Sequence, residues 1–146
     1  MKIALGADHG GYSVKEIALK HLQEQGHEVV DCGTYDTASC HYPVYAEKVC
    51  KTVTAGDADF GILICGTGIG MSMCANKVKG IRAAAVSDCF TAEATRRHNN
   101  TNVLCLGERT VGPGLALRII DTFLAAPFDG GRHQTRIDMM MALEEN

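Results

Sequence analysis

Residues 61–72, GILICGTGIGMS, put a cysteine, Cys65, at the end of a short apolar run and follow it with glycines at alternate positions, Gly66, Gly68 and Gly70, with Thr67 between them. The run Phe60 to Cys65 has the length of a buried parallel strand, and Ile69 to Val78 can continue as a helix. A strand, a tight loop and a helix in that order aim the loop N–H groups and the helix N-terminus at one spot. Such a spot suits an anion, or an oxygen that turns negative during a reaction. The same positive end favours thiolate over thiol and draws a cysteine below its free pKa of about 8.5. Cys65 is therefore a candidate nucleophile or base; without that chemistry it is a small apolar residue closing a strand.

Spacing tests the familiar phosphate loops against this one. A nucleoside triphosphate loop needs Lys and then Ser or Thr after its last glycine, whereas Gly70 is followed by Met71 and Ser72. A dinucleotide fingerprint counted from Gly66 and Gly68 needs its third glycine at Met71. A cysteine-dependent phosphatase needs an arginine at the end of its cradle, and that place is again Met71. What remains is a thiol among backbone donors.

Further polar residues stand at element boundaries. Asp8 and His9, with Gly10 and Gly11 behind them, either cap a helix or join the chemistry. His98 follows Arg96 and Arg97 and is either a cation set against a helix C-terminus or a proton carrier. Arg132 and Arg136 lie one helical turn apart, so their guanidinium groups either converge on one oxyanion or form a solvated face.

Alternating elements position these groups. Lys2 to Ala7 reads as a strand, Tyr12 to Gln25 as an amphipathic helix closed by Gly26, and Glu28 to Cys32 as a second strand. A loop carries Tyr35 to His41, Pro43 opens a helix through Thr54, and the strand into Cys65 follows. Ile81 to Val86 is the fourth strand, and Asp88 caps a helix to Arg97. Val103 to Leu106 is the fifth strand, Pro113 opens a helix to about Ala125, and a last helix follows Gly130 and Gly131. This order predicts an α/β fold, a five-stranded parallel sheet between two helical layers with right-handed crossovers. Ligands then gather at the carboxyl ends of the strands, where Asp8, His9, Cys65 and the loop Gly130 to His133 are expected to meet.

With 146 residues, 46% hydrophobic and 21% charged, the chain reads as one domain able to bury a single core. A net charge of -3 offers no nucleic-acid footprint. No run is apolar enough to span a bilayer, and no basic segment precedes an apolar one as in a signal peptide, so a cytoplasmic protein is expected. Seven cysteines, odd in number and without a CxxC pair, argue against a disulfide framework and a zinc cage.

Six motifs in order make the chain similar to the ribose-5-phosphate isomerase B family, which also includes allose-6-phosphate and galactose-6-phosphate isomerases. They are ADHGG at Ala7 to Gly11, Tyr42 with Pro43, GILICGTGIGMS with Ala75, Asn76 and Lys77 behind it, GIRAA from Gly80, RHNNTN from Arg97, and GGRHQTRI from Gly130. The resemblance covers almost the whole chain. It implies a Rossmann-like three-layer sandwich over residues 1–146, a homodimer or homotetramer with its active sites at the subunit interface and the C-terminal helix packing there, and no metal or organic cofactor. The implied partner is a small sugar phosphate, with neither nucleic acid nor membrane.

The implied reaction interconverts D-ribose 5-phosphate and D-ribulose 5-phosphate, a pentose phosphate pathway step. Cys65 is then the base, and the backbone of Gly66, Thr67, Gly68, Ile69 and Gly70 is the oxyanion hole, with Thr67 supporting the enediolate oxygens. His98 matches the family residue that opens the sugar ring, and Asp8 helps at the ring oxygens. Arg132 and Arg136 match phosphate ligands, His9, Asn99 and Arg109 match further substrate contacts, and Tyr42 covers the sugar. Some members of the family lack the cysteine and use a carboxylate elsewhere; this chain belongs with the thiol branch. The competing readings are a six-carbon sugar-phosphate isomerase, a non-catalytic sugar-phosphate sensor, and a cysteine-dependent hydrolase, which the missing loop arginine disfavours.

Overall fold

The computed structural model describes residues 1–145. Five strands, β1 (Lys2–Ala7), β2 (Glu28–Asp31), β3 (Phe60–Cys65), β4 (Ala83–Ala85) and β5 (Val103–Gly107), form one all-parallel sheet in the order β2-β1-β3-β5-β4. Six helices accompany them: α1 (Tyr12–Glu24), α2 (Tyr42–Thr54), α3 (Ile69–Ala75), α4 (Cys89–Asn99), α5 (Glu108–Ala125) and α6 (Arg132–Met141), and a 3₁₀ turn, Ala142–Glu145, closes the described chain. No helix among the described residues is long and apolar enough to cross a membrane.

Period-two alternation sends the strand side chains to two separate cores. Ile3, Leu5, Ile62, Ile64, Leu104 and Leu106 pack with residues of α1 and α5, while Ala4, Leu63, Cys65, Val103 and Cys105 face α2 and α3. Cys65 thus ends its strand on the α2 and α3 side, 6% exposed.

Asparagines mark three of the larger departures from the expected boundaries. Helix α3 stops at Ala75 rather than Val78: the Asn76 side chain donates to Ala83 O and accepts from Ala83 N, both at 2.9 Å, and the chain turns off through i→i−3 bonds. Strand β4 is cut to three residues at the same place, since Asn102 Oδ1 takes the Arg82 N–H at 2.7 Å. Helix α4 runs on to Asn99, because the left-handed residue that ends it is Asn100, at φ 46°. Helix α5 begins with a short helical stretch at residues 108–111 and restarts at Pro113 beyond a break at Gly112.

A buried cation braces the carboxyl end of β1. Lys15 is fully buried, and its Nζ lies 2.8 Å from both Asp31 oxygens and 2.9 Å from Glu16 Oε1. Asp31 in turn accepts from Gly33 N, and the Gly33 carbonyl accepts from Ala7 N, next to Asp8. Burial pulls the Lys15 pKa down, but its hydrogen bonds to Asp31 and Glu16 outweigh that, so it stands above 10.5. A raised folded value gives stability that is fully present below pH 10.5 and lost as pH rises through the folded pKa. Lys15→Met is expected to cost about 3 kcal/mol in urea unfolding, because it leaves Asp31 without its cation. A loss below about 0.5 kcal/mol would show that the pair does not brace the fold.

Candidate active site

The switch in strand order falls between β1 and β3, and the loops leaving those two strands at their carboxyl ends are Asp8 to Gly11 and Gly66 to Gly68. The two loops touch. Asp8 N donates to Ile64 O at 3.2 Å, and a Cβ on Gly10 would lie 3.2 Å from Gly66 N. Asp8 is buried and accepts from Gly10 N at 2.8 Å, which fixes its carboxylate at the turn.

The Cys65 loop is folded around its thiol. Gly68 takes a left-handed conformation, φ 78°, with its position pressed so close to Leu106 that a Cβ would fall 2.9 Å from the carbonyl carbon. That turn lets Gly68 N donate to Cys65 Sγ at 3.1 Å, and Ile69 N donates to Thr67 Oγ1 at 3.3 Å. The N–H groups of Gly66, Thr67 and Gly70 have no acceptor among the described residues. Tyr42, at the start of α2, lays its ring against Gly70, 2.9 Å from where a Cβ would be. Arg109 anchors its amide on Gly66 O at 3.0 Å and sets its guanidinium beside the same glycine. His9 accepts from Cys40 N at 3.2 Å through Nδ1.

Three of the other cysteines are poor candidates for chemistry. Burial pushes the Cys50 thiol up to about 12, raises Cys105 well above the usual thiol range and moves Cys32 upward as well.

A second polar group stands elsewhere. His98 and Asn99 occupy the last turn of α4, and His98 stacks on His133 of α6 with ring centroids 4.6 Å apart and planes 14° from parallel. Arg97 holds this corner together: its carbonyl accepts from Asp129 N at 3.0 Å, and its Nε donates to Asp129 Oδ1 at 3.1 Å. His98, Asn99, His133 and Arg136 line a cavity of about 280 Å³, which adjoins a larger one of about 670 Å³ between α6 and the edge strand β4. Arg132 and Arg136 are exposed on α6. Burial, with the neighbouring charges of His98, Arg132 and Arg136, holds His133 below its ordinary value.

Within one chain the structure does not bring the two groups together. Each helix after a parallel strand returns the chain to the amino end of the sheet, so the C-terminus of α4 and the start of α6 lie at that end. Arg82, just before β4, donates to Asn99 O at 3.2 Å, and Asn102 O accepts from Gly61 N at 2.9 Å. Gly61 to Cys65 is four strand steps, roughly 13 Å at about 3.3 Å per step. The expected meeting of Asp8, His9 and Cys65 occurs; the loop Gly130 to His133 joins His98 at the opposite rim instead. Sequence reasoning named His133 only as part of that loop and gave it no role, and it missed Cys40, which no local pattern ties to His9.

His98, Asp129 and His133 are the one group of described His, Cys, Asp and Glu residues whose ligand atoms lie within 4.8 Å of one another. Asp129 is already paired with Arg97, and Arg132 and Arg136 bear on His133, so the corner favours an anion over a metal ion.

The sequence profile of the Ribose/Galactose Isomerase family matches residues 3–140. The chain belongs to this family. Ribose-5-phosphate isomerase B of Escherichia coli (strain K12) is 48% identical over 144 residues, covering 99% of this chain and 97% of its own length. Among solved structures, ribose-5-phosphate isomerase B of Clostridium thermocellum superposes with a TM-score of 0.98 at 49% identity, over 99% of this chain and 98% of that one. The Mycoplasma genitalium ribose-5-phosphate isomerase B with bound ribulose 5-phosphate gives a TM-score of 0.94 at 46% identity, over 99% and 97%. Family membership accounts for the all-parallel α/β sheet.

Proposed function

We propose that this chain interconverts D-ribose 5-phosphate and D-ribulose 5-phosphate in the cytoplasm, with Cys65 as the base. The observation that carries this reading is the thiol at the end of β3, surrounded by amide donors of its own loop. In the open-chain aldose, Cys65 takes the proton from C2. The C–H electrons become a C1–C2 double bond, the carbonyl pair moves onto the C1 oxygen, and the loop amides stabilise the charge formed there. Return of the proton to C1, with a proton passed between the two oxygens beside Thr67, yields the ketose. His98 opens the sugar ring before this step, with Asp8 at the ring oxygens. Arg132 and Arg136 hold the phosphate, and His9, Tyr42, Asn99 and Arg109 complete the contacts.

The two rims require two chains. A homodimer that sets the His98 rim of one copy against the Cys65 rim of the other supplies every one of these residues to one sugar phosphate, and two such sites form at once in a symmetric pair. Uncovered apolar side chains at both rims support this arrangement: Ile69 is 53% and Met73 64% exposed beside the Cys65 loop, and Met139 and Leu143 are each 69% exposed near His98.

The test follows ketose formation and C2 proton exchange with deuterated solvent, for ribose 5-phosphate and allose 6-phosphate separately, with chelator present. Faster turnover of ribose 5-phosphate is expected. Preference for the six-carbon sugar would shift the substrate within the family, and tight binding without exchange would make the protein a sensor.

A further inference from the structure

We propose that the backbone amide of Cys40 locks His9 in the neutral tautomer with its proton on Nε2, so that His9 serves the sugar phosphate as a hydrogen-bond donor and not as a base. This rests on the isomerase reading for the ligand, though the ring's state is read from the structure alone.

A peptide N–H can only donate. Cys40 N lies 3.2 Å from His9 Nδ1, so that nitrogen presents a lone pair. The Cys40 thiol, 3.8 Å from the same atom, adds a second, weaker donor to it. An imidazolium would set Nδ1–H against the Cys40 N–H and lose the amide bond. The neutral ring carries its proton on Nε2, since the tautomer of a histidine is set by the bond its other nitrogen makes.

The chemical consequence is exclusion as well as assignment. His9 follows Asp8 in the turn whose Gly10 packs against Gly66, so it is an imidazole on the Cys65 rim of this chain. With Nδ1 occupied and Nε2 protonated it has no free lone pair and cannot take the C2 proton. His9 thereby drops out as a rival to Cys65 for that proton. The Nε2–H matches what a sugar phosphate offers in excess, hydroxyl and phosphate oxygens that accept. Cys40, 31 residues further along the chain and on the loop between β2 and α2, acts through His9 and is a positioning residue.

The experiment records ring nitrogen shifts of ¹⁵N-labelled full-length protein by long-range proton–nitrogen correlation, without substrate, at neutral pH. The expected pattern for His9 is an unprotonated Nδ1 and a protonated Nε2. Cys40→Ala keeps the amide and is expected to keep this pattern. Cys40→Pro removes the donor and is expected to shift both nitrogens toward tautomer-averaged values and to raise KM for ribose 5-phosphate about tenfold, with a smaller change in kcat. A protonated Nδ1 in the wild type, or an unchanged ring pattern in folded Cys40→Pro, overturns the proposal.

Should Cys40→Pro fail to fold, His9→Gln and His9→Asn decide. Gln places an amide N–H where Nε2 stands and Asn places its polar atoms where Nδ1 stands, so Gln is expected to keep about tenfold more kcat/KM. Equal losses, or a better Asn variant, overturn the donor role. A wild-type protein with no turnover strikes the isomerase reading, and the nitrogen shifts still report the tautomer.

Discussion

Cys65→Ala is expected to lower kcat for the aldose-to-ketose conversion by about 10³- to 10⁴-fold and to leave KM within a few-fold of wild type. The split follows from where the sulfur sits. The loop that surrounds the thiol is shaped by the left-handed Gly68 and by the packing of Gly70 on Tyr42, and removal of the sulfur takes from it the one bond donated by Gly68 N. Truncating the side chain therefore removes the base and spares the amides that meet the substrate oxygens. The variant is expected to bind the sugar phosphate and to lose C2 proton exchange with solvent together with turnover. Exchange that continues at wild-type rate would assign proton abstraction to another group, and a large rise in KM with kcat intact would make Cys65 a binding residue.

Mixing two dead proteins is expected to restore activity. Cys65→Ala and His98→Asn each lack one half of the proposed site. In a dimer whose sites combine opposite rims of two chains, a mixed pair holds one site with both defects and one with neither. Random reassortment makes half the dimers mixed, and each has one of two sites intact, so about a quarter of wild-type activity should return after co-refolding or co-expression. The separation of roughly 13 Å along β3 is what makes the result discriminating. If one chain built a whole site from its own Cys65 and His98, the mixture would stay as inactive as its parts.

The strands were legible because their apolar runs are short and bounded by turn residues; Lys2–Ala7 and Phe60–Cys65 are found with the bounds expected for them. Pro43 marked the opening of α2, and Asp88 marked α4 through a real cap, its carboxylate accepting from Thr91 N at 2.7 Å. The ends of α3 and α4 were not legible. Whether Asn76 or Asn100 closes a helix depends on partners such as Ala83 and on a left-handed backbone, and neither is a property of the local pattern. The site divided in the same way. Cys65, Asp8 and His9 are strand-end residues, and alternation of strand and helix alone sends them to one rim. His98 and the Gly130 loop follow helices, and the direction in which α4 and α5 run sends them to the other. The Cys40 contact with His9 joins residues far apart in sequence through a loop with no periodicity to read.

A catalyst split across two rims answers to how much of it is present. In the proposed dimer each thiol faces the ring-opening histidine of the other copy, so an isolated chain is expected to contribute no flux. At concentrations well below the dimer dissociation constant, the rate scales with the square of protein concentration, and specific activity falls on dilution and recovers on concentration.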